Sequence, residues 1–183
     1  LTCAIFIILF VRDQLSYDKW LPGSERLYRL ELTLIIPGRP PLAMALIPYA
    51  MPAAMKDEIP EVTAQTRLWR TSATLMVGDH PFLEKVDFVD PGFFQMIKLP
   101  LISGDPAQVF LQPNSVVLSQ SVARKYFGNA DPIGKTIVTS RGQCPDDDLS
   151  CKASTISLKV TGIARDLPHN SQLMGEIFVP NTS

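Results

Sequence analysis

The sequence predicts an α+β fold in which short, largely antiparallel strands alternate irregularly with short helices. Several segments alternate apolar and polar residues with a period of two, which is typical of strands that bury one face. Sixteen prolines fall mostly between apolar runs and divide the chain into short elements. The chain has 183 residues, of which 46% are hydrophobic and 19% charged, so it is large enough and apolar enough to bury a core.

The charge balance excludes one class of partner. The formal net charge is −1 and the sequence has no excess of basic residues. Nucleic-acid binding needs a concentrated positive surface, because the phosphate backbone supplies much of the affinity. We therefore expect no nucleic-acid partner.

The first element is an apolar run, LTCAIFIILFV, in which ten of eleven residues are apolar. As a helix it would rise about 16 Å, roughly half of a ~30 Å hydrocarbon core. A signal peptide would carry its basic residue before the run, whereas Arg12 follows it. The run is therefore predicted to be the outer half of a transmembrane helix, with a buried N-terminal strand as the alternative. Cys3, inside the run, is expected to be an inert buried thiol.

The residues after this run suit an exit from the membrane. Val11 would end the span, Arg12 can extend its charge towards the headgroups, and Tyr17 and Trp20 are of the types that prefer that region. The predicted organisation is thus a helix end and its exit at residues 1–16, followed by a folded domain at residues 17–183.

Two elements are predicted before Pro60. Residues 28–36 alternate in the manner of a half-buried strand, and residues 44–59 are predicted to form a helix with proline near its start. Met51, Met55 and Ile59 would share one face of that helix, where we expect them to pack into the core rather than form a groove for a partner.

Strands and two helices follow. Ser119 is predicted to cap a helix that Gly128 ends in the left-handed conformation, and a short helix is predicted at residues 93–97 after Asp90-Pro91-Gly92. Gly162 is expected to mark a β-bulge. Strands are predicted at 62–70, 73–77, 82–89, 100–105, 114–118, 136–139, 156–160 and 178–179.

Two further cysteines, Cys144 and Cys151, flank the polar loop PDDDLS between two strands that should pair. A hairpin brings its two stems together, so the sulfurs can reach bonding distance, and a disulfide would indicate an oxidising compartment. A cation site built from these thiols and residues 146–148, or two free thiols, are the alternatives. The segment lacks histidine and the glycine and glutamate of a calcium loop, which favours the disulfide.

No catalytic or cofactor site is predicted. Arg165, Asp166 and His169 could form a polar site, but a Pro-Asn-Ser turn explains them more simply, and His80 lies at a predicted strand turn. The stretch GNADPIGKT has five residues between Gly and Gly-Lys-Thr, whereas a phosphate-binding loop has four. We expect a non-catalytic domain without a metal or cofactor of its own.

Four stretches occur in the order RDQLSYDKWLPGSERLYRL, VDPGFFQMIKLPLISGDP, NSVVLSQSVARKYFGNADPIGKT and VTGIARDLPHNSQL. In this order they resemble the MacB-like periplasmic core domain of FtsX-type ABC transporter permeases, from Asp13 to about Val179. The stretch VVLSQSVARKYFG followed by DPIGKT is the most specific part of the resemblance.

The resemblance implies an inner-membrane permease whose domain lies in the periplasm or outside the cell. It implies a porter-like lobe with an inserted β-rich lobe, here incomplete at the C-terminus. ATP and Mg would bind to a separate or fused ATPase, and the domain would transmit the resulting motion. Implied partners are that ATPase, the membrane, a second permease copy or paralogue forming a dimer, and a periplasmic adaptor or cargo.

Two other classes of protein stay open at this point. One is a membrane-tethered extracytoplasmic sensor or binding module of a signalling receptor, which predicts one further span and a cytoplasmic signalling domain. The other is a secreted hydrolase, which predicts turnover that depends on Asp166 or His169.

Overall fold

The computed structural model of the chain describes residues 2–48, 51–141 and 154–181. Within these residues there are four α-helices and nine strands. The helices are α1 (Thr2–Gln14), α2 (Met51–Glu58), α3 (Phe93–Ile97) and α4 (Gln120–Phe127), with a 3-10 turn at Ser24–Arg26. The strands are β1 (Leu32–Leu34), β2 (Leu42–Met44), β3 (Leu68–Val77), β4 (His80–Val89), β5 (Leu101–Ser103), β6 (Ser115–Ser119), β7 (Thr136–Arg141), β8 (Ser154–Ala164) and β9 (Ile177–Pro180).

The strands form a two-stranded sheet, β1–β2, and a seven-stranded sheet in the order β5-β8-β6-β9-β4-β3-β7. The larger sheet closes on itself because β7 pairs with β8 as well as with β3. The long strand β8 makes this possible: its first half pairs with β7 and its second half with β6. The pairs β4–β9 and β6–β8 are parallel, and the other described pairs are antiparallel. The predicted α+β class with largely antiparallel strands is confirmed.

Two hydrophobic clusters fill this fold. The first lies within the closed sheet and under α4, which contributes Val122 and Ala123. The second is rich in aromatic rings: Phe94 lies 5.4 Å from Phe93, 5.3 Å from Phe110 and 5.4 Å from Phe178 between ring centroids. We call this second group the aromatic cluster. It lies where α3, β9 and the segment after α1 meet.

The structure confirms most of the local features predicted around α4 and β8. Ser119 caps α4, since its side chain accepts a hydrogen bond from the Val122 amide. Gly128 ends the helix at φ 60° and ψ −121°, so its φ is positive as expected but its conformation is not the left-handed helical one that was predicted. At Gly162 the register of β6 against β8 shifts by one residue, which confirms the predicted bulge.

The first third of the folded domain differs from prediction. The strand expected at 28–36 is only β1, and the helix expected at 44–59 begins later, because β2 occupies Leu42–Met44. The residue before a proline avoids the α region, so Pro48 opposes a helix that includes Ile47. The strands expected at 62–70 and 73–77 are the single strand β3, which pairs along its whole length with β4.

The predicted packing of α2 is wrong. Met51 and Met55 are only partly buried, Ile59 is 39% exposed, and none of the three belongs to either hydrophobic cluster. The four-residue spacing identified a helix face, but spacing alone does not supply a surface for that face to pack against.

A glycine before β9 permits close packing, and its replacement should destabilise the fold. A Cβ at Gly175 would overlap the ring of Phe178 and the carboxylate of Asp87. Overpacking of this kind typically costs about 1–3 kcal/mol, so we expect Gly175→Ala to lower the free energy of unfolding by that amount in urea titrations. The control is Gly92→Ala, where nothing lies within 4 Å. Equal stabilities of the two variants would show that Phe178 moves away without cost.

Candidate functional site

The segment that leaves α1 is hydrogen-bonded to the loop between β8 and β9. The Asp18 amide donates to the carbonyl oxygen of Asn170 at 3.0 Å. In return, the Ser171 hydroxyl and the Gln172 amide donate to Oδ1 of Asp18 at 3.1 and 3.0 Å. These residues are more than 150 positions apart in sequence, so the contacts join two ends of the described chain.

A second set of bonds involves Ser16, two residues nearer to α1 than Asp18. Nδ2 of Asn170 donates to the carbonyl oxygen of Ser16 at 3.1 Å and to its Oγ at 2.9 Å. The Ser16 hydroxyl in turn donates to the carbonyl oxygen of Asp13 at 2.6 Å. We use the term exit latch for the residues that make both sets of bonds: Asp13, Ser16, Asp18, Asn170, Ser171 and Gln172.

The exit latch rests on buried side chains. Leu21 is 4% exposed and belongs to the aromatic cluster, and Ser171 is also 4% exposed. Leu167 and Leu173, on either side of the latch residues in the loop, pack against the same cluster. The latch therefore ties α1 to the hydrophobic core and not merely to a surface loop.

The same loop is bonded to α4 at its other end. The Asp166 carboxylate accepts hydrogen bonds from the Ser121 amide at 2.9 Å and from the Ser121 hydroxyl at 2.6 Å. A carboxylate at this position satisfies a free amide of the first helical turn and interacts favourably with the helix dipole. Residues 165–173 thus contact both the exit of α1 and the start of α4.

The four predicted membrane-exit residues lie in different surroundings. Val11 and Arg12 are exposed on α1, and Tyr17 is 37% exposed. Trp20 instead packs, partly buried, against the aromatic cluster. The structure thus shows Trp20 as part of the attachment of the exit segment to the domain, and the membrane role of all four stays a prediction.

The apolar opening run forms a helix, which rules out the alternative of a buried strand. Its large side chains are exposed on every side, including Phe6 at 68%, Ile8 at 64% and Phe10 at 65%. Cys3 is exposed as well, so the expected buried thiol is wrong: α1 does not pack into either described hydrophobic cluster. No helix in the described ranges is long and apolar enough to cross a membrane.

The residues considered for chemistry do not assemble into one site. Asp166 is bonded to Ser121, whereas Nε2 of His169 lies 3.5 Å from Oδ1 of Asp13, with His169 84% exposed. Residues 2–48, 51–141 and 154–181 contain no group of three or more His, Cys, Asp or Glu side chains placed to hold a metal ion. The predicted disulfide between Cys144 and Cys151 lies outside the described residues and stays a prediction.

The stretch RDLPHNSQL was predicted to be a turn, but its contact with the segment after α1 was not predicted. The available signal was chemical: Ser, Asn and Asp side chains bond readily to nearby backbone groups, and both QLSYDKW and PHNSQ contain them. Nothing local shows that these two polar stretches face each other, because the partners are brought together only by the complete sheet.

Comparison with known proteins identifies the family. The family model of the MacB-like periplasmic core domain matches residues 1–183, and the chain belongs to this family of extracytoplasmic domains of MacB- and FtsX-like permeases. This confirms the resemblance inferred from the four motifs. A search of curated proteins returned no match.

Three solved structures are similar to this chain, and the first of them shows the same fold. A domain of a protein assigned as a permease from Porphyromonas gingivalis has a TM-score of 0.58 and 24% identity, over 77% of this chain and 55% of that one. The periplasmic region of MacB from Actinobacillus actinomycetemcomitans has a TM-score of 0.46 and 20% identity, over 69% and 54% of the two chains. The extracellular domain of the noncanonic ABC-type transporter YknZ from Gram-positive bacteria has a TM-score of 0.43 and 19% identity, over 63% of this chain and 52% of that one. The aligned region thus spans about half the length of these three structures.

Proposed function

We propose that this domain transmits ATP-driven motion of an ABC permease to a periplasmic cargo or partner protein. The observation that carries the proposal is the exit latch, which bonds the segment after α1 to a loop anchored in the aromatic cluster. A displacement of α1 has a direct mechanical path into the folded domain through these bonds. Membership of the MacB-like family supports the same function.

In this proposal α1 is the outer end of a transmembrane helix in the cytoplasmic membrane of a bacterium. Its exposed apolar side chains would contact lipid or other membrane helices, and Arg12 would lie near the headgroups. ATP and Mg bind to a separate or fused ATPase. A second permease copy or a paralogue completes the transporter as a dimer.

The first experiment asks whether the permease that contains this domain has an ATPase partner. The permease is purified from its own membranes in mild detergent after crosslinking, and ATP hydrolysis of the sample is measured. Copurification of an ABC ATPase whose hydrolysis depends on the permease supports the proposal. Absence of both a copurifying and a fused ATPase would overturn it and would favour a membrane-tethered sensor module.

A substitution in the exit latch tests the mechanical path. Asp18→Ala removes the acceptor of the Ser171 and Gln172 bonds, so we expect it to abolish the nucleotide-dependent change in amide exchange of residues 165–173 and of α4. The measurement is hydrogen-exchange mass spectrometry of the membrane-embedded permease with and without ATP.

Asp79→Ala is the matched control, because Asp79 is an exposed aspartate in the turn between β3 and β4, away from the latch. This variant should keep the exchange response. An unchanged response in Asp18→Ala, with hydrolysis confirmed in the same sample, would contradict the proposed path.

A further inference from the structure

Asp18 has an unusual backbone conformation, with φ +56°. Among the described residues other than glycine, only Asp18 and Lys98 have positive φ, and Lys98 is the residue that ends α3. The left-handed region is unfavourable for residues with a Cβ, although Asp and Asn tolerate it best. Asp18 keeps this conformation while its side chain accepts bonds from Ser171 and Gln172, so the strain and the latch occur at the same residue.

The segment after α1 is close to being helical. The Leu15 amide still donates to the carbonyl oxygen of Val11 at 2.9 Å, which is the α-helical pattern. The next bonds run three residues back instead of four: the Ser16 amide donates to Asp13 and the Lys19 amide to Ser16. The helix ends at Gln14, where the four-residue pattern gives way to these three-residue bonds.

The loop competes directly for the groups that a longer helix would use. In a continuing α-helix the Asp18 amide would donate to the carbonyl oxygen of Gln14, but here it donates to Asn170. The carbonyl oxygen of Ser16 accepts from the Lys19 amide at 3.3 Å and from Nδ2 of Asn170 at 3.1 Å, so the loop shares the acceptor that a helix continuing to Trp20 would use. One loop residue thus occupies the amide that extension to residue 18 requires and bonds the carbonyl oxygen that any further extension would use.

We propose that the exit latch is a two-state switch whose release extends α1 by about one turn. Residues 15–18 then become helical, a rise of ~6 Å along the axis. The extension stops there because Leu21 is buried in the aromatic cluster and Pro22 cannot continue a helix. This inference rests on the proposed function and names the segment that changes conformation. When α1 is pulled or rotated, the hydrogen bonds of the exit latch are replaced by backbone hydrogen bonds within α1.

The test uses the full 183-residue chain in mild detergent micelles and measures the 13Cα chemical shifts of residues 15–18. Asp18→Ala removes the acceptor and replaces Asp with a residue that strongly favours the helix over positive φ. We expect the shifts to move downfield to helical values. The control is Asp18→Asn, which tolerates positive φ and keeps a side-chain carbonyl acceptor, so its shifts should match the unmodified chain.

The methyl resonances of Leu21 report whether each variant is folded. If Asp18→Ala does not fold, Ser171→Ala weakens the latch from the loop side and should move the same shifts in the same direction. Shifts that stay unchanged, or move to random-coil values, in a folded latch variant would overturn the switch.

The switch and the proposed function can fail separately. Helical shifts in Asp18→Ala, together with a normal nucleotide response of that variant in the permease, would support the switch and contradict its role in transmission. Unchanged shifts together with a lost response would show that the latch acts as a rigid tie, which would overturn the switch and leave the proposed function standing.

Discussion

Replacing Arg70 by Met should lower the free energy of unfolding by about 3 kcal/mol, because it leaves a carboxylate buried without its counter-charge. Arg70 and Asp87 are opposite each other on β3 and β4 and form a bidentate pair, with Nε to Oδ1 at 2.6 Å and Nη2 to Oδ2 at 2.7 Å. Asp87 is 1% exposed, so its carboxylate is shielded from water in the folded protein. The hydrogen bond to Asp87 raises the pKa of Arg70, while burial opposes this increase.

The matched control removes a cation from a more exposed pair. Lys125 forms an ion pair with Glu84; their side chains are 51% and 13% exposed, compared with 29% and 1% for Arg70 and Asp87. Lys125→Met should therefore cost no more than ~1 kcal/mol. Urea unfolding of both variants, followed by tryptophan fluorescence, gives the comparison. If Arg70→Met and Lys125→Met lose the same free energy of unfolding, another group or water must stabilise the charge of Asp87 in Arg70→Met.

A double variant distinguishes two quantities: the net contribution of the Arg70–Asp87 pair to the free energy of unfolding, and the loss of stability when only one partner is removed. In Arg70→Met/Asp87→Leu both charges are replaced by apolar groups, so no buried carboxylate remains. Such replacements are often neutral or stabilising, and we expect the double variant to recover most of the stability lost by Arg70→Met. A loss larger than that of Arg70→Met alone would contradict this reasoning.

The features that the sequence predicted well depend on neighbouring residues. The Ser119 cap, the α3 helix after Asp90-Pro91-Gly92 and the strand β4 all follow from residues within a few positions. The bulge at Gly162 belongs to the same group, since a glycine inside an alternating strand is a local signal.

The features that the sequence did not predict depend on distant partners. The closure of the sheet requires β8 to pair with β5, β6 and β7, and no single segment contains that information. The exit latch joins Asp18 to residues 170–172 in the same way. Periodicity also overestimated burial at Met51, Met55 and Ile59, because an apolar face is buried only where the fold supplies a second surface.

Phe94→Ala should cause the other large loss, about 3–5 kcal/mol of unfolding free energy. Phe94 is 0% exposed and its ring contacts those of Phe93, Phe110 and Phe178. Truncation removes buried aromatic surface and leaves a cavity that rigid ring neighbours can fill only in part. Leu83→Ala is the control, because Leu83 is 76% exposed and should change stability by no more than ~0.5 kcal/mol.

The same variant should loosen the exit latch, because Leu21 packs in the cluster that Phe94 fills. We therefore expect the Asp18 amide, which is bonded to Asn170, to exchange faster with solvent in folded Phe94→Ala than in the unmodified chain. A large loss of stability with unchanged exchange at Asp18 would mean that the latch is held by its own hydrogen bonds. Faster exchange would show that the aromatic cluster supports the latch, so that core packing and the attachment of α1 are energetically coupled.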